Sequence, residues 1–315
     1  MLVSIIIPVK NEERFIEQTI ESLIHDSVEK EIWIYDSGSN DSTIEIIDSL
    51  QNKYKEVKVI IAAHKNVAQV FNEIYPLTNG KYIALLGAHA IYEKGYISNA
   101  VSYLENNECD VVGGPLTQTG ISNTGKAIAK AMSSKFGVGQ STFRTSKEKQ
   151  FVKTVAFAVY KKSIFETTGL LNEQLIKNQD DDMHYRIHAK GFRILMVPEM
   201  RSTYFVRENF SSLFLQYFYY GFYKPLVFKN EIKGAGISHF IPSIFVAYLL
   251  LSCICFDVKF WFIPLGLYVI INLLNSITVK GKLLVKLLCI PAFFIIHISY
   301  GLGFLLGIPK LLFSK

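Results

Sequence analysis

Cysteine is scarce, and its placement excludes two chemistries. The chain has 315 residues and four cysteines. Cys109 alone precedes residue 253, while Cys253, Cys255 and Cys289 lie in the apolar C-terminal part. None shows zinc-site spacing, and the first part cannot build a disulfide framework, which suits a reducing cytoplasm. An excess of one charge is also lacking. Lys and Arg number 33 against 27 Asp and Glu, for a net charge of +6 without a long basic block. Nucleic acid is therefore not an expected partner. Long apolar runs are missing from residues 1–235 and dominate from about Phe240 onward. Leu2 to Val9 is apolar but too short for a signal peptide, and charge follows at once.

What the first part does contain is alternation. Leu2 to Val9 is a β-branched run of the kind that forms a buried parallel strand. Lys10 to Glu13 is a polar loop, and Phe15, Ile16, Ile20, Leu23 and Ile24 then recur at helical spacing. Further strands are expected at Glu31–Tyr35, Val57–Ala62, Lys81–Leu86, Val155–Tyr160 and Phe192–Val197. Helices are expected at Ile44–Leu50, Val67–Tyr75 and Phe165–Leu171. Strands alternating with helices imply an α/β fold with a mostly parallel sheet. Ligands of such sheets bind beyond the carboxyl ends of the strands. Asn11 and Glu12, Asp36 to Asp41, Lys65 and Asn66, and Gly87 to His89 all follow strands, so they are expected to share one edge. Each is also an ordinary loop composition taken singly.

The most concentrated chemistry is Asn178-Gln179-Asp180-Asp181-Asp182-Met183-His184-Tyr185-Arg186. Three consecutive carboxylates repel, so one is expected to have a shifted pKa or a cationic partner. Met183 to Ala189 reads as a helix, placing the acids at its favourable N-terminal end. A solvated acidic cap is an equal reading of these residues alone.

Ser4-Ile5-Ile6-Ile7-Pro8-Val9-Lys10-Asn11-Glu12, then Asp36-Ser37-Gly38-Ser39-Asn40-Asp41-Ser42-Thr43, then the acidic run, resemble glycosyltransferase family 2 over about residues 1–235. Gly113-Gly114, Phe136-Gly137-Val138-Gly139 and Gln216…Tyr220-Gly221 resemble its membrane-associated succinoglycan-type subgroup. The resemblance implies a GT-A, Rossmann-like fold that binds nucleotide-diphosphate sugars, UDP-sugars foremost. It implies donor contacts from Pro8, Asn11, Glu12, Asp36, Ser39, Asp41, Lys65 and Ala88. Asp36 would accept from the uracil imide, which suits a group that only accepts. Lys65 would act as a mobile point charge on the diphosphate. Asp180 aligns with the general base of inverting members, with Arg186 at the matching offset. Asp181, Asp182 and Arg186, with Arg144, Arg207, Gln216 and Tyr220, are the implied acceptor or diphosphate contacts.

The chain also departs from the family pattern. Relatives carry Asp-x-Asp or Asp-Ala-His after the fourth strand to hold Mg²⁺ or Mn²⁺, which supports the leaving group. Here the triplet is Gly87-Ala88-His89, and Gln179 stands where Glu is usual. Glycine offers no ligand, and a hard cation prefers oxygen, so His89 is the one remaining protein ligand and metal demand is expected to be weakened. Metal-independent catalysis, with cations such as Lys65 or Arg144 standing in, is the alternative.

Gly113 to Val152 is rich in Gly, Ser, Thr and Lys and is expected to form flexible loops over the cleft. Near 208–230, Phe210, Phe214, Tyr217, Phe218 and Phe222 suggest an amphipathic helix at a membrane interface, with Lys224, Lys229 and Lys233 toward anionic lipid. Residues 236–315 form a membrane domain with apolar segments at about 238–256, 260–278 and 284–307, near the ~20 residues that span a bilayer. Basic residues before the first segment, and Lys280, Lys282 and Lys286 before the third, place those loops and the catalytic domain on the cytoplasmic face of the cell membrane. Three spans would put Lys310 and Lys315 outside; two would not. The expected function is transfer of a sugar, with inversion, to a membrane-held, polyprenyl-linked saccharide in exopolysaccharide or surface-glycan synthesis. A non-catalytic scaffold of an export or assembly complex is the alternative. A transporter is disfavoured, because the apolar segments hold few ionisable groups besides His297.

Overall fold

The computed structural model describes residues 2–62, 65–139, 141–230, 236–252 and 261–313. Cys253, Cys255, Lys233 and Lys315 lie outside the described residues, as does the end of the expected segment 238–256. The described chain divides into two compact units: residues 1–117 with 146–204, and residues 118–145 with 205–315.

The first unit is built on a sheet. Its opening elements follow the hydrophobic pattern: β1 Val3–Val9, α1 Ile16–Ile24, β2 Lys30–Asp36, α2 Thr43–Lys53, β3 Val57–Ile61, α3 Val67–Ile74 and β4 Tyr82–Leu85. Short β5 Ala90–Tyr92, α4 Tyr96–Glu105, β6 Val111–Gly114 and β7 Leu116–Thr119 follow. After the chain returns come β8 Gln150–Phe151, β9 Ala156–Lys161, α8 Ile164–Thr168, α9 Gln179–Ala189, β10 Ile194–Met196 and β11 Ser202–Phe205. The main sheet has the order β3-β2-β1-β4-β9-β6-β10-β8. Neighbours β3-β2-β1-β4 are parallel, as are β6 and β10, whereas β9 runs antiparallel to both its neighbours. The sheet is therefore mixed, as expected for this α/β class. Continuous burial of β1 marks it as a central strand: Val3, Ile5, Ile6 and Ile7 are fully buried.

Register fixes where the loops leave. Val9 lies opposite Asp36, Asp36 opposite Ile61, and Ile6 opposite Leu85. The loops after β1, β2, β3 and β4 therefore emerge at one sheet edge, as the alternating pattern requires.

The opposite edge of β1 is held by a polar cluster. Ser4 Oγ donates to Glu31 Oε1 at 2.6 Å, the Asn79 N–H donates to the same oxygen at 2.7 Å, and Lys58 Nζ pairs with Oε2 at 2.6 Å. Ser4 Oγ also accepts the Gly80 N–H at 2.9 Å. A Cβ on Gly80 would fall 2.6 Å from Ser4 N, so the close approach requires glycine.

The second unit is helical: α5 Asn123–Met132, α6 Lys135–Val138, α7 Thr142–Thr145, α10 Phe210–Asn230, α11 Ile241–Ser252, α12 Ile263–Thr278 and α13 Leu283–Phe313. Residues Gly113 to Val152 are thus not flexible loops. Ser122 caps α5 through the Gly125 N–H, and Ala127, Ile128, Ala131 and Met132 are buried. Small residues carried this helix's apolar face, so its periodicity was faint.

Among the described residues, Leu283–Leu311 is the helix long and apolar enough to cross a membrane, with mean hydropathy 2.0 over its most apolar stretch. Ile237–Ser252 and Ile263–Thr278 are shorter apolar helices. The expected interfacial helix forms as α10, yet it packs closely on α13. A Cβ at Gly303 would lie 2.0 Å from the Phe218 carbonyl oxygen, one at Gly307 2.2 Å from that of Phe222, and one at Gly221 2.0 Å from that of Tyr300. Small residues at this spacing let helix backbones approach.

Two outcomes follow. Burial opposes ionisation of Glu31, but the donors from Lys58, Ser4 and Asn79 prevail and hold its carboxyl down at about 2, against an ordinary 4.5. That stability is present above pH 4.5 and is lost as pH falls toward 2. Glu31→Gln is therefore expected to lower the melting temperature at pH 7, with the gap to the native chain narrowing below pH ~4.5. Gly303→Leu is expected to cost about 3 kcal/mol by overpacking, read from thermal melts in detergent.

Candidate active site

The polar loops at the common edge are tied together. The Asn11 N–H donates to Ser39 Oγ at 2.8 Å, and the Asn40 N–H returns to Asn11 Oδ1 at 2.9 Å. The Glu12 N–H donates to Thr43 Oγ1 at 2.8 Å, and the Ser42 N–H to Glu13 Oε2 at 3.0 Å. Asn11 sits at φ 55, a region that asparagine tolerates better than most residues.

Asp36 ends β2 and is fully buried. Its Oδ1 accepts the Gly38 and Ser39 N–H groups at 2.9 Å each, and the Ser39 hydroxyl donates to Oδ2. The carboxylate therefore shapes its own loop. Asp41 accepts the Thr43 N–H at 3.1 Å and its hydroxyl at 2.5 Å. Burial raises the Asp41 pKa, but the Thr43 and Glu13 donors outweigh it and hold the carboxyl below its ordinary value. Pro8 is half-buried in β1. Lys65 pairs with Glu73 and faces the Tyr35 ring 5.9 Å away.

The loop after β4 joins this group through His89, whose Nδ1 lies 2.9 Å from Glu12 Oε1. The His89 ring meets Tyr204 edge-on at 4.8 Å. Buried Ala88 and its neighbour are fixed from α1: the Thr19 hydroxyl lies 2.8 Å from the Ala88 carbonyl and 2.9 Å from that of Ala90. Tyr92 Oη accepts the Gly87 N–H at 2.8 Å and lies 3.1 Å from the Gly87 carbonyl. Glu12, Ala88 and His89 are thus brought to one place with Asn11, Asp36, Ser39 and Asp41.

The acidic run forms the first turn of α9, with Asp180 exposed and Asp182 buried. The Asp181 N–H donates to Asp180 Oδ1 at 3.0 Å. The Asp180 charge reaches the Tyr160 and Tyr185 phenols, which burial already pushes upward in pKa. Asp182 and Arg186 have a structural task. Arg186 Nε donates to Asp182 Oδ2 at 2.9 Å, its NH2 to the Leu170 carbonyl at 2.9 Å, and its NH1 to the Thr168 carbonyl. This is the cationic partner expected of the three acids, and it pins the turn after α8 to α9. The pair is engaged internally, with the Arg186 side chain 24% exposed. Arg144, Arg207, Gln216 and Tyr220 belong to the second unit. There Gln216 Nε2 donates to Tyr220 Oη at 3.2 Å, and the Arg144 guanidinium stands 5.2 Å from the Phe143 ring.

Sequence reasoning missed several contributors. His184, 1% exposed, meets Tyr160 Oη through Nε2 at 2.9 Å, and burial pushes its pKa down to about 4, so it is neutral. Phe157 on β9 adopts φ 51, rare for a bulky residue. Its carbonyl accepts the Tyr96 hydroxyl at 2.7 Å, and its ring lies 5.5 Å from Tyr92 and 6.4 Å from Tyr204. Both positions read only as strand or helix residues in sequence.

A divalent cation, implied by the family resemblance, fits these residues poorly. Gly87 offers no donor side chain, and with His89 Nδ1 on Glu12 the histidine has Nε2 alone to offer. Among the described residues no three His, Cys, Asp or Glu side chains cluster as a metal site. Moreover, the Phe157 ring stands where a side chain at position 87 would begin.

Comparison with known proteins adds a second line. Residues 4–169, more than half of the chain, match the model of Glycosyl transferase family 2. The chain is 28% identical over 326 residues to the dolichyl N-acetyl-alpha-D-glucosaminyl phosphate 3-beta-D-2,3-diacetamido-2,3-dideoxy-beta-D-glucuronosyltransferase of Methanococcus voltae, covering 98% of this chain and 97% of that protein. It is 29% identical over 243 residues to succinoglycan biosynthesis protein ExoA of Rhizobium meliloti, covering 76% and 73%. Among solved structures, the mannosyltransferase PcManGT of Pyrobaculum calidifontis, in complex with GDP-Man and Mn²⁺, superposes with a TM-score of 0.64 at 14% identity over 95% of this chain and 86% of that one. S. aureus TarS 1-349 in complex with UDP-GlcNAc gives 0.54 at 17%, over 95% and 90%. At these identities the superpositions speak for the fold.

The Arg186–Asp182 pair generates its own expectation. Arg186→Ala removes the cation paired with the buried Asp182 carboxylate and is expected to cost about 3–5 kcal/mol. Asp182→Asn with Arg186→Met is expected to cost less than the single change, a comparison made by denaturant unfolding.

Proposed function

The chain belongs to glycosyl transferase family 2, and on that footing we propose that it is an inverting enzyme that moves a sugar from a nucleotide diphosphate to a membrane-held saccharide acceptor. Its fold is GT-A, and it is a glycosyltransferase; homologues act on lipid-linked or polysaccharide substrates. The observation that carries the donor half is the linked edge of Asn11, Glu12, Asp36, Ser39, Asp41 and His89. Polar loops gathered beyond the carboxyl ends of parallel strands are where such a sheet takes a nucleotide, and a UDP-sugar is the donor we favour, since TarS is seen with UDP-GlcNAc.

Asp180 is the proposed base. It is exposed on the first turn of α9, a helix anchored by Arg186 and by the Tyr160–His184 contact. The acceptor hydroxyl oxygen attacks the anomeric carbon while its proton passes to the Asp180 carboxylate. The bond from that carbon to the diphosphate oxygen breaks, and the nucleoside diphosphate leaves with the electron pair. One in-line displacement inverts the anomeric configuration. Arg144, Asp181, Arg207, Gln216 and Tyr220 are proposed on the acceptor side.

For the acceptor we propose a polyprenyl-linked saccharide of an exopolysaccharide or surface glycan. The apolar Leu283–Leu311 helix supports a membrane-bound enzyme. The relative from Methanococcus voltae, whose name specifies a dolichyl N-acetyl-alpha-D-glucosaminyl phosphate, supports a lipid carrier. The catalytic part within residues 1–235 would face the cytoplasm, where nucleotide sugars are made, with the apolar helices of 236–315 as its anchor.

The test is transfer of radiolabelled sugar from a panel of UDP- and GDP-sugars into a lipid extract by the full-length chain. Label in the lipid phase is expected, and its absence from every donor would sink the proposal. Asp180→Asn is expected to lower turnover by about 10²–10⁴-fold while nucleotide affinity, measured by calorimetry, stays unchanged. Equal turnover of variant and native chain would remove Asp180 as base.

A further inference from the structure

The empty place left by glycine in the loop after β4 is filled by a ring. A Cβ built on Gly87 would stand 2.7 Å from Phe157 Cε1 and 3.0 Å from its Cζ. That is too close for any side chain at position 87 unless the ring moves. The ring is confined. Tyr92 meets it edge-on at 5.5 Å, Tyr204 lies 6.4 Å away, and the Phe157 backbone is held at φ 51 with its carbonyl bonded to the buried Tyr96 hydroxyl. Gly87 is confined as well, since Tyr92 Oη contacts both its N–H and its carbonyl. A ring that yields to a side chain at position 87 gives up its edge-on contact with Tyr92.

We propose that Phe157 occupies the volume of a metal-binding side chain at position 87, so that residues 87 and 157 form one coupled determinant and the donor diphosphate is bound without a divalent cation. The proposal rests on the nucleotide-donor reading above. It makes the loss of the carboxylate part of a repacked site. It also explains why glycine stands here: any larger residue would displace the ring that closes the space. His89, turned by Glu12, is left to meet the nucleotide as a hydrogen-bonding group.

The experiment uses the full-length chain in detergent and its variants Gly87→Asp, Phe157→Ala and the double substitution. UDP binding is measured by calorimetry, with GDP as a second probe, in EDTA and in MnCl₂; thermal melts are recorded alongside. Native UDP affinity is expected to change by less than about threefold between EDTA and Mn²⁺. Gly87→Asp is expected to lower the melting temperature, and Phe157→Ala to remove most of that loss. The double variant is expected to gain about tenfold or more in UDP affinity from Mn²⁺. A native chain whose UDP affinity depends strongly on Mn²⁺ would overturn the proposal, as would Gly87→Asp that melts like the native chain. No binding of UDP or GDP by a folded native chain in either condition would instead overturn the donor reading and this inference with it.

Discussion

The parallel pairing of β1 with β2 and β4 is the constraint on which the site depends. Parallel strands in this register deliver their following loops to the same edge. With Val9 opposite Asp36 and Ile6 opposite Leu85, chain segments up to about eighty residues apart in sequence come within hydrogen-bonding reach. Asn11 then bonds Ser39, Glu12 bonds Thr43, and Glu12 also meets His89. None of these contacts is local, and a one-residue slip in either pairing would turn each strand's side chains to the opposite face. The Ser4–Glu31–Lys58 cluster at the other edge, with Ser4 and Glu31 buried, opposes such a slip by bonding β1, β2, β3 and the chain at Asn79 to one carboxylate.

Charge is then distributed with restraint. Of the three acids in the first turn of α9, the buried one is neutralised by Arg186 four residues on, one helical turn away and on the same face. The exposed one, Asp180, lies at the helix end where negative charge is favoured. Of the groups packed against this turn, His184 is kept neutral by burial and Tyr160 is kept protonated. The loop after β4 shows the same economy: a carboxylate is absent, and an aromatic ring occupies its neighbourhood.

The helical unit is held by a different force. Glycines at positions 221, 303 and 307 bring the backbones of α10 and α13 into direct contact. Association through small residues does not need water to drive it, which suits helices surrounded by apolar surface. Exposed Leu267, Ile270, Leu273, Leu274 and Ile277 on α12 present such a surface.

Much of the fold was legible because it is written in periods. The β-branched run of β1, the helical spacing of α1 and the alternation of strands and helices named the sheet, and they named the edge where Asn11, Asp36 and His89 meet. The α5 helix was missed because alanine and glycine make up most of its buried face, with Ile128 and Met132. The pairing of Asp182 with Arg186 was not legible, because a carboxylate looks the same in sequence whether it faces solvent or a guanidinium. What the sequence determined by itself was the order of strands and helices from β1 to β4, the apolar C-terminal segments and the absence of a ligand at Gly87, since these follow from composition and spacing. What the tertiary structure alone decided was that Phe157, seventy residues further on and at a left-handed φ, fills that absence. Contact between distant residues depends on register and backbone angle, and neither is encoded by a local pattern.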